Sequence, residues 1–502
     1  MPAATRLTTD PLAAVDIGSN SFRLEIGVVQ EGRYRRVDYL KESVRLGAGL
    51  DTHGFLTDEA VERGLQCLQG FAARLGDFDP SRVRAVATQT LREARNRDVF
   101  LARAQTALGF PVEVISGREE ARLIFAGVAR LQPSDEPRLV IDIGGRSTEL
   151  IVGRGELPLA AESFGVGCVS LSMRYFEDGR LTADAFREAQ IAAGAEFEEA
   201  LETFAPSRWV EALGSSGTAG AVSQVLLAAG VTDGDITPKG LQWCIARCIE
   251  AGRTDRLKLP GLKGERAAVI PGGLAILAAL QQQFDVAHLA PARGALRQGV
   301  IIELAQRLDA RLHDSHGDLR DGSAAELQRR FGVDAAHAGR VRRTALKLHD
   351  SLLPKADAET RHELGWACDL HEIGLMVSHH DHHRHSAYLV AHADAPGFSQ
   401  SLQRRLADLV LGQRGGLRKV ESAFAHDPFA YQLLCLRLAV ILCHARGADA
   451  DIDIPDLRLR GRQVVMRADP GWAAARPRTL YLLREEADTW QRAGPLQLEL
   501  PA

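Results

Sequence analysis

Two stretches of this 502-residue chain carry residue types that could hold a phosphate. The first reads Ala14-Val15-Asp16-Ile17-Gly18-Ser19-Asn20-Ser21-Phe22-Arg23-Leu24. The second reads Val140-Ile141-Asp142-Ile143-Gly144-Gly145-Arg146-Ser147-Thr148-Glu149-Leu150. Aligned on their aspartates, Gly18 falls on Gly144, Ser21 on Ser147 and Arg23 on Glu149. In each, an apolar run reaches an Asp, breaks at a small-residue turn and resumes in apolar alternation, the pattern of a β-hairpin. The turn would present backbone N–H groups and hydroxyls, which form an anion-binding concavity. Glycine lets the backbone close on a phosphate, and an Asp at a strand end suits hydrated Mg²⁺, which takes one or two carboxylates plus phosphate oxygens. One Asp-Ile-Gly turn is weak evidence and could be an ordinary hairpin. Two copies predict duplicated halves facing each other across a cleft that holds a phosphate chain.

A third loop joins the set. Gly214-Ser215-Ser216-Gly217-Thr218 follows the strand-like Trp209-Val210-Glu211-Ala212-Leu213 and precedes an apolar helix, which puts a helix N-terminus at a bound anion. No G-x-x-x-x-G-K-[ST] occurs, so the chain is not a P-loop protein. Ser116-Gly117-Arg118-Glu119-Glu120-Ala121-Arg122-Leu123 sets two carboxylates at a helix start behind a buried strand. Either could orient and deprotonate a water, and both could equally be first-turn acids that complement the helix dipole. Thr88-Gln89-Thr90-Leu91-Arg92-Glu93-Ala94-Arg95-Asn96 lies between a strand and a helix, so Arg92 and Arg95 either clamp phosphates or face solvent. The string His379-His380-Asp381-His382-His383-Arg384-His385, with His371-Glu372 and His349-Asp350 before it, invites a metal reading. Spacing forces no single ligand set, and the expectation is a solvated loop plus packed helical histidines.

The elements that must position these residues alternate in type. From Leu12 to Gly127 the hairpin is followed by a helix from about Thr57 with Val61, Leu65, Leu68, Phe71 and Leu75 at helical spacing. Buried strands at Val83–Thr88 and Val112–Ile115 flank a helix containing Phe100, Ala104 and Leu108. The pattern restarts near Arg138 and runs to about Arg307, which predicts an α/β fold in two sheet-bearing layers. Arg311 to Ser323, rich in Asp, His, Gly and Ser, reads as a linker, and nearly everything beyond Ala324 as amphipathic helix until Val464-Val465-Met466. Apolar content of 45% and charged content of 25% are those of a globular enzyme. A net charge of −4 argues against a general nucleic-acid binder. Cys67, Cys168, Cys244, Cys248, Cys368, Cys435 and Cys443 show no disulfide-framework spacing and read as reduced thiols. No apolar run is long enough to span a membrane, and Met1 to Pro11 lacks a signal-peptide core, so the expected location is the cytoplasm.

Taken together, the motifs resemble the exopolyphosphatase and guanosine pentaphosphate phosphohydrolase family over nearly the whole chain. They are Asp16-Ile17-Gly18-Ser19-Asn20-Ser21, Ser116-Gly117-x-Glu119-Glu120-Ala121, Asp142-Ile143-Gly144-Gly145-x-Ser147-Thr148-Glu149, Gly214-x-Ser216-Gly217-Thr218 and Pro271-Gly272-Gly273. The resemblance implies two actin/Hsp70/sugar-kinase-like domains, residues 1–127 and 128–307, a linker at 308–323 and a helical domain at 324–502 that resembles a degenerate metal-phosphohydrolase (HD) domain. It implies Glu120 as the general base that activates water, and Asp142 and Glu149 as ligands of Mg²⁺ or another divalent ion such as Mn²⁺, with a monovalent cation admitted. Asp16, Gly18, Ser19, Asn20, Ser21, Arg23, Arg92, Gly144, Gly145, Arg146, Ser147, Thr148, Gly214, Ser216, Gly217 and Thr218 would hold substrate phosphates. Arg146 departs from the family, which has a third glycine there; Arg is either strained at that turn or adds a phosphate contact. The implied activity is processive removal of terminal phosphate from inorganic polyphosphate by a homodimer. Guanosine pentaphosphate hydrolysis in the stringent response is the alternative, and a non-catalytic polyphosphate or nucleotide sensor, or a kinase of the same superfamily, the reading from another class. The helical domain would serve dimer contact and a basic track for a long polyanion.

Overall fold

The computed structural model describes residues 10–30, 32–312, 318–425, 428–446 and 454–501. The chain divides into two compact units, Met1–Gly317 and Asp318–Ala502. The first begins with β1 (Leu12–Ile17), β2 (Phe22–Gln30), β3 (Arg33–Glu42), α1 (Asp58–Leu75), β4 (Val83–Ala87), α2 (Gln89–Glu93), α3 (Arg97–Leu108), β5 (Val112–Val114) and α4 (Gly117–Leu131). The sequence of elements then repeats with β6 (Arg138–Ile143), β7 (Thr148–Arg154), β8 (Leu157–Phe164), α5 (Cys168–Tyr175), α6 (Ala183–Phe197), β9 (Glu211–Ser215), α7 (Ser216–Ala228), α8 (Pro238–Ala251), α9 (Ile270–Gln283), β10 (Ala290–Pro291) and α10 (Leu296–Leu312). The sheets have the orders β3-β2-β1-β4-β5 and β10-β9-β6-β7-β8, which is one order read from opposite edges. In each, the central strand is antiparallel to its hairpin partner and parallel to the strand on its other side. The unit is thus a duplicated α/β architecture, one five-stranded sheet order used twice.

Local chemistry accounts for the elements that matter to the site. β1 and β6 are buried at every position, as central strands covered on both faces must be. α1 starts at Thr57, whose hydroxyl caps Ala60 N, and buries Val61, Leu65, Leu68, Phe71 and Leu75, the apolar stripe visible in the sequence. α4 starts at Ser116, whose hydroxyl caps Glu119 N. Glycines let α4 approach α10: a Cβ on Gly299 would fall on the Leu123 carbonyl, and one on Gly127 on the Ala295 carbonyl. Gly299→Ala therefore lowers stability by about 1–3 kcal/mol, the cost of overpacking a closed contact, read as a lower melting temperature of this unit.

The second unit holds α11 (Leu319–Arg330), α12 (Ala335–Leu352), α13 (Ala358–Leu370), α14 (His382–His392), α15 (Gln400–Gly412), α16 (Phe429–Leu442), β11 (Asp456–Arg460), β12 (Gln463–Arg467), α17 (Trp472–Ala475), α18 (Pro477–Ala493) and β13 (Gln497–Glu499). The strand expected around Val465 is β12, in a three-stranded sheet of order β11-β12-β13. The stretch 308–323, expected as a linker, is helical at both ends, because α10 runs to Leu312 and α11 starts at Leu319. The start of α11 is held by Arg320, which is buried, ion-paired with Asp318 at 2.7 Å and with Glu359, and stacked over Trp366 at 4.3 Å. Residues 313–317 lie outside the described residues. All seven cysteines are free thiols. Among the described residues no helix is long and apolar enough to cross a membrane.

Candidate active site

The two hairpins place their chemistry in identical register. Asp16 stands opposite Arg23, and Asp142 stands opposite Glu149. The next pairs, Ile17 with Phe22 and Ile143 with Thr148, leave Gly18–Ser21 and Gly144–Ser147 as matching turns. Gly18 and Gly144 allow the closure, since a Cβ would lie 2.9 Å from Ser21 O in one and 3.1 Å from Ser147 O in the other. Both turns line one cavity of about 350 Å³, with Ser216, Gly217 and Thr218 on its wall. The loop expected at Gly214–Thr218 is not a loop. Gly214 and Ser215 belong to β9, and α7 begins at Ser216, which makes the bend alone with φ 69°. Ser216 and Thr218 each donate a hydroxyl to Ile143 O, at 2.9 and 3.2 Å, which ties this helix start to the second hairpin. A non-glycine residue held left-handed at a helix N-terminus is backbone strain placed at the cavity wall.

Charge distinguishes the two copies. Asp16 is neutralised by Arg23 at 3.1 Å and Arg297 at 3.3 Å. In the second hairpin the opposed groups are both carboxylates and both buried, and Glu149 is held by the Ser163 hydroxyl at 2.8 Å. Burial raises the Asp142 carboxyl above its ordinary value, against hydrogen bonds from Ser215 and Ser216 and the charge of Arg23. Glu149 is raised well above the usual range by burial, then by Glu120 and Asp142. Glu120, at the start of α4, is pushed up to about 7 by burial, against Arg92 at 2.8 Å, with Asp142 and Asp16 adding to the rise. Like-charged buried carboxylates with only oxygen donors fit a hard divalent cation, and Asp142 with Glu149 are the residues that would hold it.

A stability signature follows from these directions. Each of the three groups has a folded pKa above its unfolded value, so its contribution is fully present below about pH 4 and is lost as pH rises through the folded pKa. Without divalent metal this unit thus loses stability as pH rises from about 4.5 through about 7, where Glu120 titrates. Glu149→Gln removes one buried charge and raises the melting temperature in EDTA at about pH 8 by several degrees, while leaving it unchanged at about pH 4. A fall at the higher pH would show that Glu149 is paired with a cation already supplied by the protein.

The expected residues divide into those that reach the cavity and those that do not. Gly18, Ser19, Asn20, Ser21, Arg23, Gly144, Gly145, Ser147, Ser216, Gly217, Thr218, Glu120 and Asp142 line it. Asp16 lines it too, but a carboxylate only accepts, and its role is to hold Arg23 and Arg297. Arg92 is spent on Glu120, on Ile115 O at 3.0 Å and on Gln89 at 2.8 Å, with its Nη2 buried and without a partner. Thr148 is fully buried and donates to Val166 O at 2.6 Å, so it does not hold phosphate. Gly214 does not line the cavity and is a packing glycine, since a Cβ there would meet Ala219 and Leu289. Arg146 is neither strained nor in the cleft: it has no positive φ, and its guanidinium reaches Glu93 at 2.7 Å and Gly47 O at 3.2 Å. It clasps the second hairpin to the first half of the unit instead. The paired acids of α4 also separate, Glu119 bonding Arg122 at 2.7 Å while Glu120 faces the cavity.

The rest of the wall was not anticipated. Arg36, Tyr39 and Lys41 come from β3, and Arg266, Arg293 and Arg297 from turns and a helix start in the second half. The one available signal was the density of cations in Arg33-Tyr34-Arg35-Arg36-Val37-Asp38-Tyr39-Leu40-Lys41, on the strand next to the first hairpin.

The model of the Ppx/GppA phosphatase family matches residues 26–308, and that of Ppx/GppA phosphatase domain III matches residues 319–487. A solved exopolyphosphatase-like protein is 26% identical over 59% of this chain and 98% of its own, with a TM-score of 0.53. An exopolyphosphatase from Cytophaga hutchinsonii is 24% identical over 59% of this chain and 98% of its own, also with a TM-score of 0.53, a likeness of fold.

Proposed function

The chain belongs to the Ppx/GppA phosphatase family, and from that premise we propose that it is an exopolyphosphatase whose general base is Glu120. The observation that carries the reading is a buried carboxyl at the cavity wall, pushed up to about 7 and anchored by Arg92 at 2.8 Å. A base poised near neutral pH combines a receptive state with driving force for proton transfer. Backbone N–H groups and hydroxyls of the two turns and of the α7 start would cradle the terminal phosphate. Water oxygen bonds to the terminal phosphorus, its proton passes to Glu120, and the bridging P–O bond breaks to release the shortened chain as an anion. A divalent cation held by Asp142 and Glu149, of the Mg²⁺ kind, supplies neutralisation of the phosphoryl charge when bound.

The substrate class rests on the wall. Arg23, Arg36, Lys41, Arg266, Arg293 and Arg297 face the same cavity, a density of cations suited to a polyphosphate chain. Tyr39 is its aromatic residue among the described ones, and Arg36 and Arg297 lie over that ring at 5.5 and 5.4 Å. That ring already carries two guanidinium groups, which favours an extended polyphosphate chain over a stacked base as the occupant. The test is phosphate release with Mg²⁺ from long-chain polyphosphate and from guanosine pentaphosphate, side by side, for wild type and Glu120→Gln. Release mainly from polyphosphate, lost in the variant, is expected. Release mainly from the nucleotide would replace the substrate assignment and keep the base.

A further inference from the structure

The helical unit contains a second cluster that the reaction does not use. His337 on α12 and His371 and Glu372 after α13 bring one ligand atom each to within 4.8 Å of one another, and all three residues are buried. His371 Nδ1 lies 2.6 Å from the Cys368 carbonyl, so it carries the proton and donates it there. That fixes the tautomer and leaves the lone pair on Nε2, which is buried, has no hydrogen-bond partner and lies 3.9 Å from Glu372 Oε1. A histidine with one nitrogen tied to a carbonyl and the other unsatisfied is oriented as metal-bound histidines are. The cluster opens on a cavity of about 390 Å³, which His382 and His444 also line, and His382 Nδ1 is likewise buried without a partner.

We propose that His337, His371 and Glu372 bind a divalent transition-metal ion in the helical unit, separate from the phosphate cavity. Two imidazoles and one carboxylate select the zinc, cobalt and manganese class over Mg²⁺, which keeps to oxygen. His371-Glu372 invited a metal reading in the sequence, but the expectation there was packed histidines, because the third ligand, His337, lies 34 positions earlier (371 − 337) on another helix. Arg446 ion-pairs with Glu372 through its Nη2 and therefore competes with a metal for that carboxylate. Its own seat is strained, with φ 52°.

The test is a Co²⁺ titration of the full-length protein in excess Mg²⁺, followed by visible absorption. Nitrogen-ligated cobalt gives bands far stronger than all-oxygen cobalt, so binding at the phosphate cavity does not imitate the result. One cobalt per chain with such bands is expected in wild type. The bands vanish in His337→Gln and in His371→Gln and persist in His392→Gln, an exposed histidine of α14. Arg446→Ala binds cobalt at least about tenfold more tightly, the scale of removing one competing ion pair, and a misfolded protein could not produce that gain. Absence of the bands in both wild type and Arg446→Ala, or their survival in both cluster-histidine variants, would overturn the site.

Discussion

Replacing Glu120 with glutamine lowers the turnover number for phosphate release by about 10²–10⁴-fold, the range a positioned general base contributes. The substitution keeps the size of the side chain and an oxygen to accept the Arg92 hydrogen bond, now 2.8 Å long. It removes the basicity, and with it the acidic limb of the pH–rate profile that a carboxyl near 7 would impose. KM stays within a few-fold, because the wall cations and turn amides to which the proposed function assigns substrate binding are untouched. Steady-state release measured from about pH 5.5 to 9 reads all three quantities. Glu119→Gln is the matched comparison: its carboxylate bonds Arg122 at 2.7 and 2.8 Å, so it changes stability and leaves the pH profile alone. Near-native turnover in Glu120→Gln would remove it as the base.

The second large effect is structural. Glu303→Gln costs about 3–5 kcal/mol, because it strips the countercharge from a buried cluster of arginines. Glu303 on α10 pairs with Arg84 of β4 at 2.8 Å, with Arg307 one helical turn on at 2.5 Å, and with Arg122 of α4. Burial pushes its carboxyl up, but Arg307, Arg122 and Arg84 together hold it well below the usual range. Its folded pKa is thus below its unfolded value, so the stability it confers is present above about pH 4.5 and is lost as pH falls. That sign is the reverse of the one at Glu149, although both are buried glutamates of one compact unit. Thermal denaturation from about pH 3 to 8 separates them: Glu303→Gln lowers the neutral-pH melting temperature and flattens the acid side. An unchanged melting temperature would mean that the arginines find other partners.

How much of this was readable beforehand depended on distance along the chain. The hairpin turns, the apolar stripe of α1 and the helix start that carries Glu119 and Glu120 are set by neighbours within a few residues, and they stand where the sequence puts them. The Ser216 bend was not readable, since its φ of 69° is imposed by hydrogen bonds to Ile143, 73 positions earlier. Arg146 was read as strained or phosphate-bound because Glu93, its actual partner, lies 53 positions away. Arg36, Lys41, Arg266 and Arg297 look like any exposed basic residues until the sheets bring them to one wall. Glu303 sits in an unremarkable amphipathic helix, and only the fold reveals three arginines around it.

The matched register of the hairpins, with Arg23 in one place and Glu149 in the other, has a thermodynamic consequence. The first copy is electrically complete in itself, while the second stores a repulsion that an incoming polyanion would deepen. On the proposed function, a cation at Asp142 and Glu149 would relieve that repulsion, and an anion in the cavity beside Asp142 would improve the seat for the cation. The two ligands would then be positively cooperative, each strengthening the other by the same factor. Cation affinity measured alone will understate the affinity in the presence of substrate, and a chain that arrives without a cation will dissociate faster than one that arrives with it.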